Sequence, residues 1–320
     1  MNADTIYNAR LLLSPERKRW IERAVGVGAV FRDAVPLKGG ISSAVHLVGV
    51  TSPAGEDDYV LRRFVNREWL RVAPDLAAHE ASALRAAASG TSGVPVPTLV
   101  AFDETGEDGG DGLPSVLMTR LPGTVVLMPP ADVFDDWLRG LAEALARIHT
   151  IEPYAHRWRY FSYNDAAAMQ VPGWSPQPEL WERAIAYARE PMPEYVERFI
   201  HHDYHPANVL WDGVAVSGVV DWVNACVGPA GIDVGHCRIN LALLHGGDAA
   251  DRFLNCYTAS AGNAFVYDPY WDVLSVMNLM PDAPTVYAGW TELGVSGLTD
   301  ALMLERLEYH LNAILERAGR

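Results

Sequence analysis

The chain has 320 residues, 49% of them apolar and 20% charged, and carries a formal net charge of −15. That length allows one large domain or two lobes around a real core, while the acidic balance weighs against nucleic acid as a partner, since phosphate backbones are bound by basic stripes. The charge suits a cationic ligand drawn into an acidic cleft, and equally a surface that is merely soluble. No apolar run approaches the roughly 18 residues of a membrane span. The opening Met1 to Arg10 lacks the basic-then-apolar order of a secretory leader. Three cysteines, Cys226, Cys237 and Cys256, form neither a disulfide framework nor a C-x-x-C zinc pair. A cytoplasmic protein with no membrane and no nucleic-acid partner is expected. Lys18 and Lys38 are the only lysines, so arginine supplies nearly all the positive charge.

In chain order, short apolar strands dominate from Phe31 to Met118. Val45 to Val50 and Tyr59 to Phe64 read as strands, and the turn-rich Thr51 to Asp58 between them predicts a hairpin with a long loop. The alanines and leucines of Pro74 to Ala88 predict a helix stopped by Ser89-Gly90. Two further strands flank the acidic, glycine-rich loop Asp103 to Pro114. From Pro129 onward helices take over. Phe134, Leu138, Leu141, Leu145 and Ile148 fall at helical spacing, which makes Asp132 to His149 amphipathic. Glu179 to Arg189 is a second helix, ended before Pro191. A hairpin turning at Asp212-Gly213 joins Val209–Trp211 to Val216–Val220. Pro172 to Pro178 and Pro281 to Pro284 are loops, and beyond Asp233 the pattern is helical.

The chemistry concentrates in His201-His202-Asp203-Tyr204-His205-Pro206-Ala207-Asn208. Phosphoryl transfer needs a carboxylate to orient the attacking hydroxyl and accept its proton, plus oxygen ligands for magnesium. His201-x-Asp203 with Asn208 five residues beyond has the spacing of the kinase signature H-R-D-L-x-x-x-N. Asp203 is therefore the candidate base and Asn208 a candidate Mg2+ ligand. Val219-Val220-Asp221-Trp222, an apolar strand ending in an acid, supplies Asp221 as the second ligand, which suffices for an ion that prefers one or two carboxylates plus phosphate and water. Two other readings of these residues stand beside this one. Asp203 alone could be a helix cap. The cluster His201, His202, Asp203 and His205 could bind a transition metal, as in the iron site of an H-x-D oxygenase with His201 and Asp203 completed by a later histidine such as His236 or His245.

The segment His201–Asn208 resembles the H-G-D-x-H-P-x-N loop of the aminoglycoside phosphotransferases and choline-kinase-like phosphotransferases of the protein-kinase-like superfamily. Val219-Val220-Asp221-Trp222 resembles their I-D-W segment, and Gly228-Pro229-Ala230-Gly231-Ile232-Asp233 the G-D-P-x-x-D-L that follows. His202 departs from the family pattern, which has glycine there. The resemblance implies that His201 is structural and that Asp233 braces the loop backbone.

Upstream, Gly39-Gly40-Ile41-Ser42-Ser43 precedes a strand and is similar to the family's G-G-x-x-N phosphate loop, with Ser43 in place of asparagine. Glycines let backbone N–H groups approach phosphates, although Gly-Gly is also a common simple turn. No lysine occupies the following strand. Val60 and Arg62 share one face, so Val60 would pack on the base and Arg62 pair the phosphates; Arg63, on the other face, is the second candidate. Glu80 sits where the family has the acid that pairs with this cation, though a solvent-facing glutamate is the plain alternative. Val116–Gly123 resembles the family's interlobe linker, whose backbone at Thr119 and Leu121 would take the adenine edge. Asp233, Asp268, Trp271, Asp272 and Glu308 are candidates for the acceptor side, since acids and aromatics suit a cationic sugar or peptide; core packing is the alternative for Trp271.

The expected fold is α+β, a bilobal kinase-like architecture with a strand-rich nucleotide-binding lobe over 1–119 and a helical catalytic lobe over 120–320. The expected activity is transfer of the γ-phosphate of ATP or GTP, with Mg2+, to a hydroxyl of a small molecule. An antibiotic (an aminoglycoside, macrolide or peptide) ranks ahead of a choline-like alcohol or a sugar. A non-catalytic nucleotide-binding regulator on the same fold is the alternative of another class. The acceptor, the nucleotide base and the oligomeric state stay open at this point.

Overall fold

The computed structural model describes residues 12–37, 43–89, 92–152 and 156–320. Packing divides them into two units. The first takes the residues up to 89, 95–122 and 222–224, and the second takes the remainder.

In the first unit, helix α1 (Pro15–Val25) precedes a five-stranded antiparallel sheet. Its strands are β1 (Val30–Pro36), β2 (Ser43–Ser52), β3 (Gly55–Phe64), β4 (Leu99–Asp103) and β5 (Ser115–Thr119), in the order β1-β2-β3-β5-β4. Short α2 (Arg67–Val72) and α3 (Leu76–Ser89) lie between β3 and β4 in sequence, and α3 packs beside β4 and β5. Ser14 caps α1 by accepting the Arg17 N–H at 3.0 Å, and Pro15 pre-sets the first turn. Trp20 and Ile21 of α1 bury against Val48, Val50, Leu61 and Leu117 of the sheet. Each such side chain removed from water is worth roughly 1.5–3 kcal/mol.

The β2–β3 hairpin differs from the sequence expectation. Ser52 pairs with Gly55, so the loop is only Pro53-Ala54, and most of the stretch that reads as turn is strand. Its acids are tolerated in the ladder because neighbouring arginines reach them. Arg32 of β1 meets Glu56 at 2.6 Å and Asp58 at 3.3 Å, and Arg120 meets Asp58 at 3.0 Å.

The second unit is mostly helical. Its helices are α4 (Phe134–Ile148), α5 (Pro178–Ala188), α6 (Ala230–His245), α7 (Gly247–Ala261), α8 (Pro269–Met277), α9 (Ala288–Glu292) and α10 (Asp300–Arg317). Two small antiparallel sheets carry its loops. One joins β6 (Thr124–Val125), β8 (Val209–Asp212) and β9 (Ala215–Val219), and the other joins β7 (Glu197–Ile200) and β10 (Cys226–Pro229). The β8–β9 turn is Gly213-Val214, one residue beyond the expected pair. Leu138, Leu141, Leu145 and Ile148 of α4 are fully buried, as their period requires. Helix α6 is apolar nearly all round and runs through the interior, packing against α7, α8 and α10. Its approach to α8 needs Gly235, where a Cβ would stand 2.5 Å from Ser275 Oγ and 2.8 Å from the Trp271 carbonyl oxygen. Trp181, Trp271, Trp290, Leu307 and Leu311 belong to the same core. Among the described residues, no helix is long and apolar enough to cross a membrane.

Candidate active site

Strand β7 ends at Ile200 and the chain then turns sharply through His201 and His202. The turn is held by Asp233 in the first turn of α6, a place where the helix dipole favours a carboxylate. Its two oxygens accept the N–H groups of His201 and His202, each at 2.7 Å. His202 takes a left-handed backbone, φ 63°, to present its N–H. His149, at the end of α4, donates Nε2 to Asp233 Oδ2 at 3.1 Å, and its Nδ1 lies 2.7 Å from the Tyr257 hydroxyl. Burial pushes the Asp233 carboxyl upward. The His149 hydrogen bond, the nearby histidine charges and the His201 N–H outweigh that and hold it below the ordinary carboxylate range.

One residue past this clamp is Asp203. Asn208 Nδ2 donates to the Asp203 backbone oxygen at 2.9 Å and approaches its Oδ2 at 3.4 Å. Both contacts use the amide nitrogen, so the carboxamide oxygen is the atom left to offer a cation. Asp203 Oδ1 meets His236 Nε2 at 3.2 Å and His205 Nε2 at 3.9 Å. Burial raises the Asp203 carboxyl, but the His236 hydrogen bond and the charges of His205, His236 and His201 pull it well below its usual value, so it is ionised. Burial pushes His205 down to about 4 against the attraction of Asp203. Strand β9 returns alongside. The Val220 N–H donates to the Asn208 carbonyl at 2.9 Å, and the Val220 carbonyl lies 2.9 Å from His201 Nε2. Asp221 follows directly, with φ 67°. A non-glycine residue held there is strained, as residues at functional sites often are.

In the first unit, β3 alternation separates its two arginines. Arg62 Nη1 lies 3.2 Å from Glu80 Oε1 of α3, both side chains being nearly inaccessible. Arg63 turns to the other face, where Nη1 is 3.6 Å from Asp111 Oδ2. Val60, on the Arg62 face, is half-buried, as are Thr119 and Leu121. The Thr119 hydroxyl accepts the Thr98 N–H at 2.9 Å. Ser43 opens β2 and is buried. Gly39, Gly40 and Ser42 lie outside the described residues.

The residues named for the acceptor side also have structural partners. Asp233 clamps the loop. Asp268 caps α8 through the Tyr270 N–H at 2.9 Å. Asp272 pairs with buried Arg238. Trp271 is core. Glu308 accepts from Ser175, from Gln177 at 2.8 Å and from Trp181 at 3.2 Å, beside a cavity of about 460 Å³ also lined by Leu304, Glu305 and Tyr309. Aromatics surround the His201–Asn208 loop. Tyr163 stacks on His202 with ring centroids 4.8 Å apart, and Tyr160 and Phe161 meet it edge-on. Tyr163 and Tyr287 are each raised above the usual phenol range, first by burial and then by the charge of Asp203. Of the donors in the iron reading, His201 Nε2 is on the Val220 carbonyl and His245 Nε2 on that of Leu127 at 2.9 Å, which leaves Asp203, His205 and His236 as the residues brought together.

The sequence reading missed two partners, His149 and Tyr257, and named His236 only as a histidine that could complete an iron site. His236 lies three residues after Asp233 on the same helix, so its shared face was a usable signal. His149 and Tyr257 arrive from distant helices with no local pattern.

Comparison with known proteins supplies the family: residues 33–274 match the profile of the phosphotransferase enzyme family APH, and the chain belongs to it. Comparison with curated protein sequences finds no match. Among solved structures, the chain is similar to a thermostable mutant of aminoglycoside phosphotransferase APH(4)-Ia, with 16% identity, 94% of this chain and 99% of that one covered, and a TM-score of 0.60. It is also similar to amicoumacin kinase hAmiN in complex with AMP-PNP, Ca2+ and Ami (13%, 98% and 94%, TM-score 0.58). A third is macrolide 2′-phosphotransferase MphH from Brachybacterium faecium (17%, 79% and 83%, TM-score 0.53). At these identities the likeness is one of fold: an antiparallel strand-rich N-terminal part and a helical C-terminal part.

Proposed function

We propose that the chain transfers the γ-phosphate of a nucleoside triphosphate to a hydroxyl of a small molecule, with Asp203 as the base. The observation that carries this reading is the clamped loop, in which Asp233 fixes the turn, Asp203 is ionised and in contact with Asn208, and Val220 ties Asp221 to Asn208. An ionised carboxylate can orient the hydroxyl and take its proton as the phosphoryl group departs. Asn208 and Asp221 offer one amide and one carboxylate oxygen, a donor set suited to Mg2+, and would hold it. When bound, the ion supplies charge neutralisation on the phosphate oxygens. His201 and Asp233 keep the loop in shape. In the strand-rich unit, Arg62 braced by Glu80 would pair the phosphates, Val60 would pack on the base, and the backbone at Thr119 and Leu121 would take its edge. The segment Gly39, Gly40, Ser42 and Ser43 would cover the phosphates. ATP is the first nucleotide to test and GTP the second.

An antibiotic or related secondary metabolite is the acceptor class put first, because the similar structures are named for aminoglycosides, amicoumacin and macrolides. A choline-like alcohol or sugar comes second. Among the described acids, those first considered for a polycationic acceptor are engaged elsewhere, and aromatic rings flank His202 instead, which favours an acceptor with an apolar face. The test is a thermal-shift screen with ATP, GTP and a library of antibiotics and amino alcohols, followed by transfer of labelled γ-phosphate to the hits. Asp203→Asn should lower kcat by roughly 10²–10⁴-fold or more while nucleotide binding survives. Undiminished turnover in that variant would sink the mechanism. Nucleotide binding with no phosphorylated acceptor across a broad panel would favour the regulator.

A further inference from the structure

Asp203, His205 and His236 bring one ligand atom each to within 4.8 Å of the others. The spacing matters because ligands about 2.1 Å from a tetrahedral zinc ion lie about 3.4 Å from one another. Asp203 Oδ1 is 3.2 Å from His236 Nε2 and 3.9 Å from His205 Nε2. One distance must open by a few tenths of an ångström and the other close by about half an ångström. These are side-chain adjustments, not backbone ones. His205 adds an independent observation. It is 8% exposed, its Nδ1 is buried with no hydrogen-bond partner among the described residues, and its Nε2 points at the carboxylate from beyond hydrogen-bond reach. An imidazole so placed gains little from a bare carboxylate and much from a cation between them. The side chains of Asp203 and His236 remain 31% and 25% exposed, which leaves an entry path and an open coordination position.

We infer that Asp203, His205 and His236 form a second cation site, selective for a borderline transition-metal ion of the zinc class, whose occupation removes Asp203 from its role with the acceptor. Ligand chemistry separates it from the Asn208–Asp221 pair: two imidazoles and one carboxylate suit zinc-class ions, whereas oxygen-only donors suit magnesium. His201 and His202, the other histidines of the loop, take no part, since His201 Nε2 is on the Val220 carbonyl and the His202 ring stacks on Tyr163. The inhibitory half of the inference rests on the phosphotransfer reading above; the binding half does not.

The test begins with the nucleotide-free, magnesium-free protein titrated with Zn2+ against a competing chelator, and with Co2+ read by its visible absorption. One ion per chain is expected. His236→Asn should weaken binding at least tenfold, and His236→Cys should retain it and add a thiolate-to-cobalt charge-transfer band. Absence of stoichiometric binding, equal affinity in His236→Asn, or no thiolate band in His236→Cys would each overturn the site. In the second arm, phosphoryl transfer is measured with and without Zn2+ in each protein at saturating Mg2+. Zn2+ should inhibit the wild type at least tenfold and His236→Asn less than twofold. Equal inhibition of both overturns the inhibitory role and leaves the site to be judged by the titration. A chain that transfers phosphate to no acceptor refutes the phosphotransfer reading, and the titration still decides the site.

Discussion

His202 sits at φ 63°, a backbone state that costs a residue with a Cβ about 1–2 kcal/mol. The conformation turns its N–H onto Asp233, while its ring stacks on Tyr163 and meets Tyr160 and Phe161 edge-on. Aromatic pairs of this kind return about 0.5–1.5 kcal/mol each, so the three ring contacts together at least offset the strain. The two effects separate by substitution. His202→Ala loses the stacking and keeps the strain, whereas His202→Gly loses both. The glycine variant should therefore be more stable than the alanine variant by about 1 kcal/mol, read as a higher urea midpoint at equal slope. An alanine variant as stable as the glycine one would mean that the loop relaxes out of the left-handed state. The sequence makes His202 visible as a departure from the family pattern. It does not reveal the partners, because Tyr160–Tyr163 come from a loop some forty residues earlier that has no period to read.

Elements were legible where one face alone decides their burial. The apolar stripe of α4 is of that kind, and the turn between β8 and β9 was placed to within one residue. The length of the β2–β3 ladder was hidden, since its acids are satisfied by Arg32 and Arg120 and only the fold brings those arginines there. Helix α1 was hidden for a related reason. Its inner face holds Arg17 beside Trp20 and Ile21, and a fully buried arginine reads in sequence as solvent-facing. Arg17 organises the acidic loop before β5, reaching Asp103 at 3.0 Å, Asp111 at 2.5 Å and the Leu113 carbonyl at 2.9 Å. Asp103 in turn accepts the N–H groups of Gly106 and Gly109, each at 2.9 Å. A Cβ on Gly109 would overlap the guanidinium of Arg17, which has no free space to retreat into. Gly109→Ala should cost about 1–3 kcal/mol in equilibrium unfolding. An unchanged midpoint would show that the loop yields without disturbing Arg17.

On the scale of the whole molecule, an acidic chain eases its own charge repulsion as pH falls, yet several buried histidines oppose that gain. His310 is 2% exposed, and its Nε2 has no hydrogen-bond partner among the described residues. Burial and then the charge of Arg238, with Arg317 adding to it and Asp251 opposing, push it down to about 3. In the unfolded chain it titrates near 6.5. Between those values the unfolded state holds a proton that the folded state does not. The contribution of His310 is therefore complete above pH 6.5 and is lost as pH falls toward about 3, at up to about 1.4 kcal/mol per pH unit. His156 and His245 are depressed in the same direction, also first by burial. They stay in place when His310 alone is changed, as do the carboxylates of Asp203 and Asp233, so a difference measurement isolates one group. His310→Leu puts an apolar side chain of similar bulk into an inaccessible site. Unfolding free energies of both proteins at pH 7.5 and pH 5.0 should diverge by about 2 kcal/mol in favour of the variant at the lower pH, whatever their offset at the higher one. Parallel stability curves across that window would mean that His310 is reached by water and protonates in the folded state.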